Sequence, residues 1–316
     1  VIRVQNLTKY YGERLAVDNI SFNVPKGEIV GLLGPNGAGK TTTMRILTGF
    51  LMPTSGDAWV ADCNMATNSL EGRRHIGYLP EAIPLYTDVT VRSYLDFAGR
   101  LRGLDKYQIK DRIDDVVELC HLEEYIDVLI GKLSRGFRQR VGVAQAIIHE
   151  PEVMILDEPT LGIDPIQVAQ TRQLIKELGK EHTILISSHI LPEVSMVCDR
   201  VVIIHEGQVV AEDKIANLSN ILRGTQNIQL EVRGPAAAVT RKLERVRGVS
   251  GVRYEKPYHI VECPADQDPR SSLMTAIVQG GWTILSMGMV AMSLEDIFLK
   301  LTAEEEVTDD DEEIEE

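Results

Sequence analysis

Nine residues constrain this chain more than any other stretch: Gly34-Pro35-Asn36-Gly37-Ala38-Gly39-Lys40-Thr41-Thr42. They match the pattern G-x-x-x-x-G-K-[ST]. Glycines at these places let a loop wrap closely around an anion with its backbone N–H groups turned inward. A mostly apolar run, Glu28-Ile29-Val30-Gly31-Leu32-Leu33, precedes the loop, and a helix-forming stretch, Thr41–Thr48, follows it. Strand, loop and helix in that order aim the positive helix end and the loop amides at the same phosphates. Lys40 then offers a charge to the β- and γ-phosphates of a nucleotide, and Thr41 a hydroxyl to Mg²⁺.

A second buried-type strand, Val153-Met154-Ile155-Leu156, ends in two acids, Asp157 and Glu158. In an open α/β sheet, ligands bind at the carboxyl ends of the strands. Asp157 is placed there to hold Mg²⁺ through water, and Glu158 to polarise an attacking water, as phosphoryl transfer requires. His189 follows a third apolar strand, Thr183–Ser188, so its imidazole falls at the same edge.

The order of elements around these motifs is that of an α/β core with a helical insertion. Ile20, Phe22 and Val24 alternate with polar residues as in a half-buried strand, and Pro25-Lys26-Gly27 makes a turn. Val91, Tyr94, Leu95, Ala98 and Leu101 fall on one helical face, and Ile109, Ile113, Val116, Val117 and Cys120 on another. Helical spacing resumes at Val141, Ala144, Gln145 and Ile148 until Pro151 stops it. From about residue 225 the pattern changes to β-α-β-β-α-β: Ile228–Val232, Ala236–Val246, Val249–Tyr254, His259–Cys263, Arg270–Val278 and Trp282–Met289. That order predicts a small α+β ferredoxin-like unit. Ser293-Leu294-Glu295-Asp296 has the form of a capping box opening a last helix.

Charge and composition exclude several classes. The net charge is −14, but Ala303–Glu316 alone holds ten acids and no base, which leaves the remainder at −4. No basic stripe for a nucleic acid is evident, and none is expected as a partner. The tail reads as a solvated, disordered segment. No run approaches the roughly 18 apolar residues of a membrane span. Arg3, Gln5 and Asn6 interrupt any apolar opening, so no secretory leader is expected. The four cysteines, Cys63, Cys120, Cys198 and Cys263, are far apart with no Cys-x-x-Cys pair, which suits a reducing compartment and argues against zinc.

With these residues together, roughly the first 220 resemble the ABC ATPase family. Leu133-Ser134-Arg135-Gly136-Phe137-Arg138-Gln139-Arg140 is similar to its LSGGQ signature, upstream of the Asp157/Glu158 strand. Leu161-Gly162-Ile163-Asp164 resembles the D-loop, His189 the switch histidine, and Tyr11 the aromatic that stacks on adenine. Arg135 and Phe137 depart from a Gly and the Gln of the usual signature, and Glu81 stands where the family usually has Gln. These departures and Ser293–Phe298 resemble an exporter branch with a separate permease, the multidrug, sodium and gliding-motility type.

The resemblance implies a P-loop NTPase (RecA-like) core with an antiparallel β subdomain and a helical subdomain at about 88–150. The nucleotide domain spans 1–222, the ferredoxin-like domain 225–302 and the acidic tail 303–316. It implies catalytic roles for Lys40, Glu158 and His189, and metal contacts from Thr41, Asp157 and Glu81. ATP contacts are implied for Tyr11, the loop Gly34–Thr42, Ser134, Gly136 and Asp164, with Ser134 and Gly136 meeting the partner's γ-phosphate in a head-to-tail dimer. The expected cofactors are ATP and Mg²⁺. The expected partners are a transmembrane permease and a second ATPase chain, identical or not, at the cytoplasmic membrane face. Two alternatives stand beside this: a soluble cassette acting on ribosomes or DNA, and a catalytically dead scaffold.

Overall fold

The computed structural model describes residues 1–215, 225–264 and 267–290. The chain divides into two compact units, Val1–Ile215 and Ala216–Glu316. The first opens with strands β1 (Ile2–Tyr11), β2 (Arg14–Val24) and β3 (Ile29–Leu33), then helix α1 (Lys40–Leu47). Next come β4 (Ser55–Val60), β5 (Cys63–Asn64), the short α2 (Ser69–Gly72) and β6 (Ile76–Leu79). Three helices follow, α3 (Val91–Leu101), α4 (Lys106–Leu119) and α5 (Arg135–Ile147). The unit closes with β7 (Val153–Asp157), α6 (Pro165–Leu178), β8 (Thr183–Ser188), α7 (Leu191–Ser195), β9 (Arg200–His205) and β10 (Gln208–Lys214).

The strands make two sheets. One is antiparallel in the order β2-β1-β4-β5, and the other runs β10-β9-β3-β8-β7-β6. In the second, β9, β3, β8, β7 and β6 are parallel neighbours. Every residue of β3, β7 and β8 is buried, as strands covered on both faces must be. Ile2, Val4, Phe22 and Val24 from the antiparallel sheet share one core with Val30, Leu32, Met44 and Val202.

Register fixes where chemistry is possible. Leu33 pairs with Ser188, Asp157 with Ser187, and Leu79 with Leu156. The four parallel strands β3, β8, β7 and β6 therefore end level, and the residues after them leave the sheet along one edge.

In the helical part, Ile109, Ile113, Val116 and Val117 are buried as their spacing predicts. Leu101 is not: it is 70 % exposed, and Gly99 is buried instead. A Cβ at Gly99 would stand 2.9 Å from Ile109 Cγ1, so α3 and α4 approach there. The buried stripe follows Val91, Leu95 and Gly99, and Leu101 turns outward.

The second unit contains β11 (Thr225–Arg233), α8 (Ala236–Leu243), β12 (Gly251–Glu255), β13 (Tyr258–Pro264), α9 (Arg270–Gln279) and β14 (Thr283–Val290). Its sheet order is β12-β13-β11-β14, with all neighbours antiparallel. This is the ferredoxin-like arrangement. Alternate residues Ile228, Leu230 and Val232 pack with Val261 and Cys263 against Val239, Leu243, Leu273 and Ile277 of the helices. The capping-box expectation at Ser293–Asp296 and the acidic tail lie outside the described residues.

Candidate functional site

The glycine loop leaves β3 at Gly34, whose N–H donates to Ser188 O at 3.2 Å. A Cβ on Gly34 would stand 2.2 Å from Ile204 O, so the loop presses on β9. Gly37 and Gly39 have φ of +86° and +107°, the left-handed region that glycine enters at little cost. Helix α1 begins directly after Gly39, and no side chain caps it. The other helices of this unit with eight or more residues are all capped by a side chain, through Thr90, Asp105, Ser134 and Asp164. An uncapped helix start facing a cleft is a place for an anion.

Lys40 lies folded into its own loop. Its Nζ donates to Gly34 O at 2.7 Å and Pro35 O at 3.1 Å, and sits 3.5 Å from Glu158 Oε1. The other oxygen of Glu158, Oε2, lies 3.0 Å from His189 Nδ1. Glu158 thus stands between the lysine of one strand end and the histidine of the next. It adopts φ +49°, a conformation costing a non-glycine residue about 1–2 kcal/mol. Its N–H donates to Ser187 Oγ at 2.8 Å, which helps hold that turn.

Asp157 sits beneath, 1 % exposed. Its Oδ1 accepts from Ser187 Oγ at 2.6 Å and Thr41 Oγ1 at 3.3 Å, while its Oδ2 is buried with no hydrogen-bond partner. Burial first, and then the Asp157 charge, push the Tyr78 hydroxyl up to about 12, so it stays neutral beside this carboxylate. Among the described residues, no group of three or more His, Cys, Asp and Glu side chains converges as a self-sufficient metal site.

A cleft of about 570 Å³ opens over these groups, lined among others by Tyr11, Asn36, Lys40, Thr41, Thr42, Glu81, Glu158 and His189. Tyr11 is exposed at the end of β1, with Lys9 Nζ 5.6 Å from its ring centre.

A family model described as ABC transporter matches residues 17–161. The bacitracin transport ATP-binding protein BcrA of Bacillus licheniformis is 38 % identical over 95 % of this chain and 97 % of its own length. The chain belongs to the ABC transporter family. It is the ATP-binding subunit, an ABC-type ATPase on a P-loop NTPase fold.

Other relatives agree along the whole cassette chain. The linearmycin resistance ATP-binding protein LnrL of Bacillus subtilis is 32 % identical over 96 % of this chain and 98 % of that one. The Nod factor export ATP-binding protein I of Cupriavidus metallidurans is 33 % identical over 96 % and 98 %. Among solved structures, cbiO1 from Clostridium perfringens, part of the ABC transporter complex cbiONQ, has a TM-score of 0.65 at 29 % identity, covering 70 % of this chain and 90 % of that one. The dimeric MJ0796, a bacterial ABC transporter cassette, has a TM-score of 0.63 at 25 % identity over 68 % and 99 %. These relatives lend no support to a cassette that works on ribosomes or DNA.

The structure of the ATPase brings most of the expected residues to one place. Tyr11, Asn36, Gly37, Gly39, Lys40, Thr41, Thr42, Glu81, Glu158 and His189 line the cleft. Gly34, Pro35 and Ala38 form the loop behind it, Ala38 donating back to Pro35 O at 3.2 Å. Asp157 joins through Thr41. Ser134, Gly136 and Asp164 are not among the residues lining this cleft. Ser134 caps α5, accepting from Phe137 N at 3.3 Å, and Asp164 caps α6, accepting from Ile166 and Gln167 N–H at 3.0 Å.

Sequence reasoning missed Arg14 and Arg45, two cations on the cleft wall. It missed Ser187, which bridges Asp157 and the Glu158 backbone. It also missed Gln139, whose Nε2 donates to Pro159 O at 2.9 Å and ties α5 to the turn after Glu158. The one available signal was polarity: Ser187 is a wholly buried polar residue ending an apolar strand.

Proposed function

We propose that the cleft is the ATP site, that two chains close head-to-tail over two nucleotides, and that this closure drives a separate permease for export. The observation that carries the reading is Glu158, buried between Lys40 and His189 at the level end of the parallel strands. Adenine stacks on Tyr11, and the phosphates run along the loop to the uncapped start of α1. Incoming phosphate replaces the Gly34 and Pro35 carbonyls as partner of Lys40, and so weakens its hold on Glu158. Glu158 then orients a water for in-line attack on the γ-phosphate and takes its proton, while His189 steadies the second carboxylate oxygen.

Thr41, the orphaned oxygen of Asp157 and Glu81 suit Mg²⁺, a hard cation that keeps waters and shares its shell with nucleotide phosphates. Bound there, the ion would neutralise charge on the β- and γ-oxygens.

Ser134, Gly136 and Asp164 act from the second chain, identical or not. Ser134 and Asp164 are exposed and cap helix starts, so α5 offers its positive end to the partner's γ-phosphate. Only ATP satisfies that contact, and this differential affinity is what ligand-driven closure requires.

A permease partner and a cytoplasmic place at the membrane are supported by the transport, resistance and export names of full-length relatives. Among the described residues, no helix is long and apolar enough to cross a membrane. Exposed Phe50, Met52, Tyr86, Phe97 and Leu101 supply apolar contacts for such a subunit. The division of labour places ATP chemistry in 1–222, including the helical part at 88–150. Residues 225–302 are an accessory domain.

The test is a mixing experiment. Ser134→Arg should bind ATP but neither dimerise on it nor turn it over, and Glu158→Gln should dimerise without turnover. Mixed, they should regain activity through the one site that combines an intact Glu158 with an intact Ser134. Normal turnover by the Ser134→Arg chain alone would end the shared-site reading.

A further inference from the structure

We propose that the acidic segment Ala303–Glu316 docks in the hollow between α8 and α9 of its own chain, so that the second unit carries an electrostatic site for an acidic peptide. The hollow, about 440 Å³, is lined on its polar side by Lys242, Arg245, Ser271, Ser272, Thr275 and Gln279. Among the described residues, no carboxylate lines it. The comparable hollow of the first unit sets Arg74 and Arg112 against Asp115, Glu150, Glu152 and Glu181.

Neither cation of the α8/α9 hollow is used elsewhere among the described residues. Among the described residues, the ion pairs of Arg253 with Glu255 and of Arg270 with Asp268 involve neither Lys242 nor Arg245. The first N–H of α9, on Arg270, donates to Asp268 Oδ1 at 3.2 Å, and Ser271 and Ser272 add hydroxyls to the hollow.

Topology selects this segment as the occupant. Val290, the end of β14, pairs with Asn227 near the start of β11. Helix α8 leaves the far end of β11 and returns toward its start, while α9 follows Pro264, which pairs with Thr225 at that same start. The C-terminal end of α8, the N-terminal end of α9 and the exit of the chain at Val290 thus share one end of the unit. Ala303 is thirteen residues beyond Val290. That length spans about 20 Å if helical and about 40 Å if extended, against roughly 30 Å for the width of a unit this size. The segment brings ten acids and no base. Tethering holds it at an effective concentration in the millimolar range, enough for a few screened charge pairs to matter.

The experiment is zero-length carbodiimide coupling on the full chain, read by mass spectrometry. Lys242 should couple to Asp or Glu of 303–316, and the exposed Lys106 should serve as the control. The yield at Lys242 should fall about fivefold or more in 1 M salt, where the screening length is about 3 Å. It should fall by a similar factor in Arg245→Glu, which leaves the reacting amine in place. Tail adducts at Lys242 no more frequent than at Lys106, or indifferent to salt, overturn the proposal. So do adducts joining isotopically heavy and light chains, which would place the segment on a second copy. Flotation with phosphatidylglycerol vesicles that depends on Lys242 and Arg245, with Lys242 uncoupled to the tail, would make the hollow a lipid-headgroup site instead.

Discussion

Replacing Lys40 with alanine should destabilise the nucleotide-free ATPase by about 3–5 kcal/mol, and changing Glu158 to glutamine in the same chain should recover most of that loss. The side chains of Lys40 and Glu158 are 6 % and 8 % exposed. Removing the cation strands an ionised carboxylate in the protein interior, with His189 Nδ1, 3.0 Å away, as its remaining partner. It also leaves the Gly34 and Pro35 carbonyls without the donor they share. Glutamine at 158 keeps the shape and removes the charge, so the double variant should fall within about 1–2 kcal/mol of wild type, the cost of the lost hydrogen bonds. Glu158→Gln alone should be close to neutral, because Lys40 keeps both carbonyls. At about 2–4 °C per kcal/mol for a unit of this size, Lys40→Ala should melt roughly 10 °C early. Calorimetry on the four proteins without nucleotide closes the cycle. A Lys40→Ala protein within about 1 kcal/mol of wild type, or a double variant no better than the single, would show that the two groups are not a coupled buried pair.

Three further outcomes follow from the same geometry. Glu158→Gln should keep ATP affinity while hydrolysis drops about 10²–10⁴-fold, because the water loses its base; near-normal turnover would remove Glu158 from that role. Gly34→Ala should cost about 1–3 kcal/mol or more and abolish nucleotide binding, since its Cβ meets the Ile204 carbonyl at 2.2 Å and backbone cannot step aside; an unchanged melt with normal ATP affinity would refute the close packing. Burial, with the Arg102 charge adding to it, lowers His149 from its usual 6.5 to about 4. The folded state therefore resists its protonation, so stability is full above about pH 6.5 and falls as pH drops toward 4, by about 3 kcal/mol in all. His149→Gln should flatten that slope in urea unfolding, and an unaltered slope would assign the loss to other groups.

What could be read from sequence was whatever depended on neighbours along the chain. The strand–loop–helix at Gly34 is local, and so is the alternation Ile228, Leu230, Val232 that marked β11. Strand β4 was hidden because Gly56, at φ +74°, and Asp57 break the apolar alternation. Helix α6 carries a start signal, Asp164 followed by Pro165, but the same aspartate also ends the D-loop-like Leu161–Asp164, and that resemblance masks its capping role. Ser187 was out of reach for a different reason. Its role exists only because β7 and β8 pair in the register that sets it opposite Asp157, and register between strands 30 residues apart is tertiary information.

The two departures in the signature show how a change that looks functional can be a packing solution. Phe137 stacks on Tyr125 with ring centroids 4.1 Å apart, and the Arg140 guanidinium lies 5.1 Å from the Phe137 ring on the same helix. The Arg135 guanidinium rests on Gly162, where an added Cβ would come within 2.4 Å of it and where φ is +72°. With Arg135 in this position a side chain at 162 would displace the guanidinium, and the positive φ there favours glycine in any case. Both replacements alter what the start of α5 leans on inside its own chain. Neither displaces Ser134 from its capping position or adds a Cβ at Gly136, where one would meet the Gln167 side chain at 2.8 Å. In this chain the two replaced positions pack against Tyr125 and Gly162, while Ser134 keeps its place as the cap of α5.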